Sequence, residues 1–203
     1  MKIAFDGMRY AGKTTLAHKL KLECEKAVGR EKVKLISLPI LDEDSVYGKM
    51  MRQYKDHSWF LQGAVDYSTG PQIAGKDVCL ASKLVEHALF QAQVSEKREY
   101  IETISKDSIC IIDGFWIARL YNILDESAVD IEKLCYEYVV PEVLVFLQIS
   151  AKESLFRSLK KVNKYQQEFK DMQDVNDKIT ETYKKILKCS ALIKTEKIVL
   201  RVE

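Results

Sequence analysis

The chain has 203 residues, enough for one domain with a substantial core, and no Pro-, Gly- or Ser-rich stretch reads as a linker. Its 32 basic and 30 acidic side chains leave a formal charge of +2, which gives no field for generic attraction to nucleic acid or membrane, so any phosphate binding must be local. Five cysteines (Cys24, Cys79, Cys110, Cys135, Cys189) without a C-x-x-C pair argue against a disulfide framework and a zinc site, and are expected as reduced, mostly buried thiols.

In chain order, Lys2-Ile3-Ala4-Phe5-Asp6 predicts a short buried strand that leaves no room for a leader peptide, and no apolar run approaches membrane-spanning length, so a cytoplasmic protein is expected. The strand runs into Gly7-Met8-Arg9-Tyr10-Ala11-Gly12-Lys13-Thr14-Thr15, a G-x-x-x-x-G-K-T phosphate loop. Glycines at both ends let the backbone curl so that its N–H groups face inward onto phosphate oxygens. Lys13 is expected on the β and γ phosphates, and the Thr14 hydroxyl on Mg²⁺. Leu16, Leu20 and Leu22 predict that a helix follows at once, which brings a helix N-terminus to the same anion.

That helix fades near Gly29, and Lys32 to Leu38 predicts a second strand stopped by Pro39. After the acidic loop Asp42-Glu43-Asp44, a short helix is expected over Val46 to Tyr54. From Asp77 to Lys106 the chain has neither proline nor glycine and repeats apolar residues at helical spacing through Leu84, Leu89, Val94 and Ile101, predicting a long helix beside the site. Ser108 to Asp113 is a continuously apolar run ending in a carboxylate, as expected of a parallel strand covered on both faces. A helix over Asp130 to Tyr138 and a strand over Val143 to Ile149 come next, and Ser150-Ala151-Lys152-Glu153 has the pattern of a capping box opening a helix through Leu155 and Leu159. A polar segment from Lys160 to Asp171, a helix from about Gln173 to Cys189 and a last strand from Lys197 to Val202 complete the chain. Strands alternating with helices predict a parallel α/β sheet with ligands beyond the strands' C-terminal ends.

Phosphoryl transfer needs charge neutralisation, bound magnesium and an aligned acceptor oxygen. Lys13, Thr14 and Asp113 are the candidates for the first two, with Asp113 as a Walker-B type carboxylate; a strand-end Asp capping the turn at Gly114 is its structural alternative. Arg157, with Lys160, Lys161 and Lys164, is placed to form a mobile cover over about 157–172, although a solvated basic face has the same composition. Arg9, Arg52, Arg98 and Arg119 are candidates to meet an acceptor phosphate bidentately, Arg9 first because the loop fixes its position. Phe90 suits stacking on a base and core packing alike.

Over Lys2 to about Tyr183 these segments resemble the thymidylate kinase family of nucleoside monophosphate kinases. Phe5-Asp6-Gly7 to Thr15 is similar to the family's phosphate loop, Leu38-Pro39 with Gly48 to its following loop, and His87 to Ala92 to the segment with the base-stacking phenylalanine. Asp113 sits at its D-R-Y/H motif, and Pro141 to Leu147 with Ser154-Leu155-Phe156-Arg157 resembles its fourth strand and lid helix. The resemblance implies a three-layer P-loop kinase fold with five parallel strands, MgATP as donor, transfer to a nucleotide 5′-phosphate with dTMP as the default acceptor, and a homodimer packed through helices. The departures fall on the acceptor side: Arg9 stands where the family has an acid, and Gly114, Leu41 and Val94 stand at or near positions of family arginines.

A kinase for another nucleotide or small phosphate ester is the close alternative. A nucleoside kinase ranks below it: a neutral hydroxyl acceptor benefits from a general base, and Leu38 stands where deoxynucleoside kinases place a glutamate, leaving Asp42, Glu43 or Asp44 as substitutes. The rewritten acceptor half also keeps open a nucleotide-binding protein without transfer. Asn163-Lys164-Tyr165-Gln166 lacks the aspartate of a guanine-reading N-K-x-D motif.

Overall fold

A computed structural model describes residues 1–37, 49–50, 88, 92, 95, 98–114, 139–160 and 169–202. They form five strands, β1 (Lys2–Gly7), β2 (Val33–Ser37), β3 (Ile109–Asp113), β4 (Val143–Ile149) and β5 (Glu196–Val202), with helices α1 (Lys13–Val28), α2 (Ala151–Lys160) and α3 (Phe169–Ile186). A further helical stretch covers 98–104, and residues 88, 92 and 95 are helical too, within the long helix expected there. The expected helices at Val46 to Tyr54 and Asp130 to Tyr138 lie outside the described residues except for 49 and 50, which are helical.

All strand pairs are parallel, in the order β2-β3-β1-β4-β5. The order follows from apolar content: β1 is buried along its whole length and takes the centre, whereas β2 and β5, with alternating or mostly exposed residues, take the edges. Successive residues of each strand point to opposite faces, so one run of apolar residues builds two cores. Ile3 and Phe5 join Ile111, Val145, Leu147 and Ile149 beneath α1. Ala4 joins Cys110, Ile112, Leu144 and Phe146 beneath α3 and Ile101 of the helical stretch 98–104. This is the three-layer α/β arrangement expected, and full burial of a side chain such as Phe146 or Ile111 contributes roughly 1.5–3 kcal/mol. Phe146 also stacks on Tyr183 of α3, ring centroids 3.8 Å apart and planes 8° from parallel.

Several local expectations shift. On α1 the buried contact is Ala17, with Leu16 and Leu20 partly buried, while Leu22 is exposed, because the helix approaches the sheet closely only along its small residue. On α2 the buried residues are Ser154 and Ser158; Leu159 and Phe156 are exposed. α3 begins at Phe169, four residues before the expected start, since the polar segment before Gln173 holds no Gly or Pro to stop it, and it ends three residues early, before a 3₁₀ turn at Ser190–Leu192. Ser150 caps α2 by accepting the Glu153 N–H at 3.1 Å, but the other half of the expected box is missing: the Glu153 carboxylate accepts from Arg157 Nε at 2.7 Å. Among the five cysteines, Cys110 and Cys189 are buried and Cys24 is half-buried, all three as thiols outside any disulfide, while Cys79 and Cys135 lie outside the described residues.

Candidate active site

β1 ends in the turn that defines the site. Gly7 has φ +133°, and a Cβ there would lie 2.2 Å from the Leu147 carbonyl oxygen of β4, so only glycine lets the loop leave the sheet at this point. The Met8 N–H donates to that same carbonyl at 3.0 Å, and the Ile149 N–H to Met8 Sδ at 3.3 Å. Tyr10 takes the left-handed conformation, φ 58°, which costs a non-glycine residue roughly 1–2 kcal/mol. Gly12, φ 91°, then caps α1 without a side-chain hydrogen bond, and no acidic residue occupies the first turn. The first N–H groups of α1 and its dipole therefore meet no carboxylate of their own helix, a composition suited to an external anion.

Charge converges on this turn. Lys13 Nζ bends back over the loop and donates to the Gly7 carbonyl at 3.0 Å and the Met8 carbonyl at 2.8 Å. Burial pushes the Lys13 ammonium below its ordinary value of 10.5; the fields of Asp6 and Asp113 oppose that shift, and the Arg9 guanidinium adds to it. Two carboxylates and a second cation thus lie within electrostatic reach of one lysine. Asp6 is fully buried, and its Oδ1 accepts the Gly7 N–H at 2.7 Å. Asp113, 7 % exposed, ends β3 in register with Phe5 and continues the α1-facing line of Ile111, so it shares the face on which Lys13 and Thr14 begin their helix. The Gly114 N–H donates to the Phe5 carbonyl at 3.1 Å, which carries the β3–β1 pairing one residue past Asp113, and the residues that follow Gly114 lie outside those described.

Thr14 and Thr15 are exposed at the mouth of the loop, and Ala11 is buried against α1's face. Among the described residues no three His, Cys, Asp or Glu gather as a metal cage. Asp113 and Thr14 bring hard oxygen donors of the kind that would suit a magnesium ion whose other ligands are water and phosphate oxygens. Arg157 is half-buried on α2, its Nε bonded to Glu153. Arg98 is exposed one helical turn before Glu102, whose carboxylate holds Lys2 Nζ at 2.8 Å near the opposite end of β1 from the loop. Phe90, Arg119, Arg52, Lys161 and Lys164 lie outside the described residues.

Sequence reasoning placed Asp6 at the end of the first strand and in the segment similar to the family's phosphate loop, but gave its charge no role; its signal was a carboxylate directly before the first glycine of the loop. Ser154 appeared in the sequence only as part of the segment resembling the lid helix, with no role of its own. It is fully buried, and its Oγ donates to the Arg9 carbonyl at 2.8 Å, tying α2 to the loop across 145 residues of sequence.

Five parallel strands in this order, with the glycine turn between the central strand and α1, place the chain in the three-layer α/β fold of the P-loop kinases. Two solved structures it is similar to are those of thymidylate kinases. That of Ehrlichia chaffeensis superposes with a TM-score of 0.59 at 17% identity, covering 100% of this chain and 87% of that one. That of Candida albicans gives 0.62 at 17% identity, covering 100% and 84%. No family model matches the sequence, and no curated protein does. Among the described residues no helix is long and apolar enough to cross a membrane.

Proposed function

We propose that the chain is a single-domain, ATP-dependent kinase of the thymidylate kinase type, moving the γ-phosphate of ATP to a nucleoside monophosphate, with dTMP as the default acceptor. The observation that carries this reading is the glycine turn between β1 and α1 over which Lys13 Nζ folds back onto the Gly7 and Met8 carbonyls, within the fields of Asp6, Asp113 and Arg9. Lys13 would exchange its two carbonyl partners for β and γ phosphate oxygens, which restore charge to an ammonium that burial disfavours. The loop N–H groups and the uncapped start of α1 orient the triphosphate, and Asp113 and Thr14 would hold magnesium. Bound magnesium supplies neutralisation of the charge that develops on the transferring group.

An acceptor phosphate is already anionic, so the protein's task is to offset repulsion rather than remove a proton. Arg9 supports this role because its guanidinium lies in the same field as Lys13. Arg157 would release Glu153 to reach the donor as the 157–172 segment closes. Helix-packed dimerisation and a cytoplasmic location belong to the same proposal. A second acceptor is favoured by Gly114, Leu41 and Val94, none of which can supply the cation expected there, and the Candida albicans kinase is itself described as having broad substrate specificity.

ADP release measured with MgATP across deoxy- and ribonucleoside monophosphates, nucleosides and sugar phosphates tests the reading. Turnover stimulated by dTMP is the expected result. Stimulation by another compound reassigns the acceptor, and ATP binding with no turnover under any acceptor favours a non-catalytic nucleotide-binding protein.

A further inference from the structure

We propose that Ser154 is a positioning residue for the donor triphosphate: by holding the Arg9 carbonyl it turns the Tyr10 N–H toward the phosphates. The inference rests on the kinase reading above and adds a residue from outside the loop to its machinery.

Three observations meet at one peptide. Ser154 is fully buried on a helix whose flanking Phe156 and Leu159 are exposed, so α2 turns a serine rather than an apolar side chain inward at this point. Its hydroxyl donates to the Arg9 carbonyl at 2.8 Å. The next residue, Tyr10, is held at φ 58°, the non-glycine residue with positive φ among those described. A trans peptide directs its C=O and N–H to opposite sides. With the Arg9 carbonyl drawn to α2, the Tyr10 N–H in the same peptide plane is directed away from α2. Left to itself, a tyrosine would relax out of the left-handed region, and the Arg9–Tyr10 peptide would turn with it. The buried hydroxyl bond opposes that relaxation.

The loop is fixed to β4 at Leu147 and Ile149 as well, but both bonds involve Met8. Neither these bonds nor the Ala11 N–H on the Met8 carbonyl at 3.4 Å, which closes the turn over Arg9 and Tyr10, engages the Arg9 carbonyl, so the hydroxyl at position 154 has a separate task. Ser154 also lies one turn before Arg157 on α2, so the same bond sets the height at which Arg157 leaves the helix beside the loop.

The test compares wild type, Ser154→Ala and Ser154→Thr for binding of ATP and of inorganic tripolyphosphate by titration calorimetry, with the Tyr10 amide followed by ¹⁵N–¹H NMR. Ser154→Ala should weaken both ligands by the same factor, about tenfold for one lost hydrogen bond to a charged group. The Tyr10 amide resonance, which moves on adding ATP to wild type, should stay in place in the variant, and Ser154→Thr should restore both readouts. Wild-type affinity in Ser154→Ala, or a Tyr10 amide that still responds to ATP, overturns the proposal even if the variant's Tm falls. Wild-type protein that binds neither ATP nor tripolyphosphate overturns the kinase reading itself, and this assignment with it.

Discussion

The two ends of the central strand are built on opposite principles. At the N-terminal end of β1 polar groups are paired: Lys2 Nζ meets both Glu102 oxygens, the Lys2 N–H donates to the Glu142 carboxylate, and the Glu142 N–H returns to the Lys2 carbonyl at 3.0 Å. The Cys110 N–H goes to Met1, the Glu196 N–H to Glu142, and the Thr195 hydroxyl to Pro141, so neighbouring strands are tied at their starts. Five residues along the strand, a lysine is desolvated, a tyrosine is held left-handed and a helix starts uncapped. One end satisfies its groups within the protein; the other keeps a left-handed tyrosine, a desolvated lysine folded onto backbone carbonyls and a helix start without a side-chain cap. Strain of that kind persists only where the surrounding structure over-determines it, and the tied end supplies that rigidity.

The contrast is broken most severely at Lys13. Lys13→Ala should lower phosphoryl transfer about a thousandfold while circular dichroism stays native and Tm does not fall, because the lysine serves the ligand and its burial, if anything, costs the fold stability. Full activity in that variant would remove Lys13 from the mechanism. Gly7→Ala should strike both ends at once. Its Cβ would collide with the backbone of Leu147, so a loss of about 3 kcal/mol or more in urea unfolding is expected, together with loss of ATP binding.

The same contrast explains what was legible in the sequence. β4 was predicted over Val143 to Ile149 and forms there, because an apolar run between Pro141 and Ser150 leaves no competing choice. The end of α1 at Gly29 and the loop's two glycines were equally local signals. Ala17 in place of Leu22, and Ser154 and Ser158 in place of Leu155 and Leu159, were not legible, since which face of a helix is buried depends on how closely another element approaches. α1 meets the sheet through its smallest side chain, and α2 meets the loop through a hydroxyl. Asp6 was visible as a residue but not as a charge acting on Lys13, because that action needs the loop to fold back over its own strand. Candidates such as Phe90 and Arg119 lie outside the described residues, so the acceptor half stays where the sequence left it.

A pH titration sharpens the contrast with a severalfold effect. Lys13 loses its proton below its ordinary 10.5, so ATP affinity should fall as pH rises through that lowered value. Stability should move the other way. In the unfolded chain the lysine keeps its proton up to about 10.5, and between the two values the unfolded state binds more protons, so rising pH favours folding over the same window. Titration calorimetry and thermal melts on one pH series would show the opposed slopes. An affinity that stays flat to pH 10.5 would mean that the ammonium is not what meets the phosphates. Lys13→Arg, whose charge persists through this range, should flatten the affinity limb.

The smallest effect is expected at the tied end. Glu102→Ala leaves Lys2, whose side chain is 10 % exposed, without its carboxylate, whereas the Glu102 side chain is 42 % exposed, so solvent screens much of the pair. A loss of about 1 kcal/mol in unfolding free energy is expected, shrinking as salt is raised toward molar concentrations where the Debye length falls to about 3 Å. ATP affinity and transfer rate should be unchanged, because β1 between Lys2 and Gly7 is held along its whole length by β3 and β4, and a local loss at its start has no route to the loop except through a strand that does not bend. If ATP binding instead fell in step with stability, the two ends would be one cooperative unit, and the strain at Tyr10 would be sustained by the ion pair rather than by the contacts of the loop with β4 and α2.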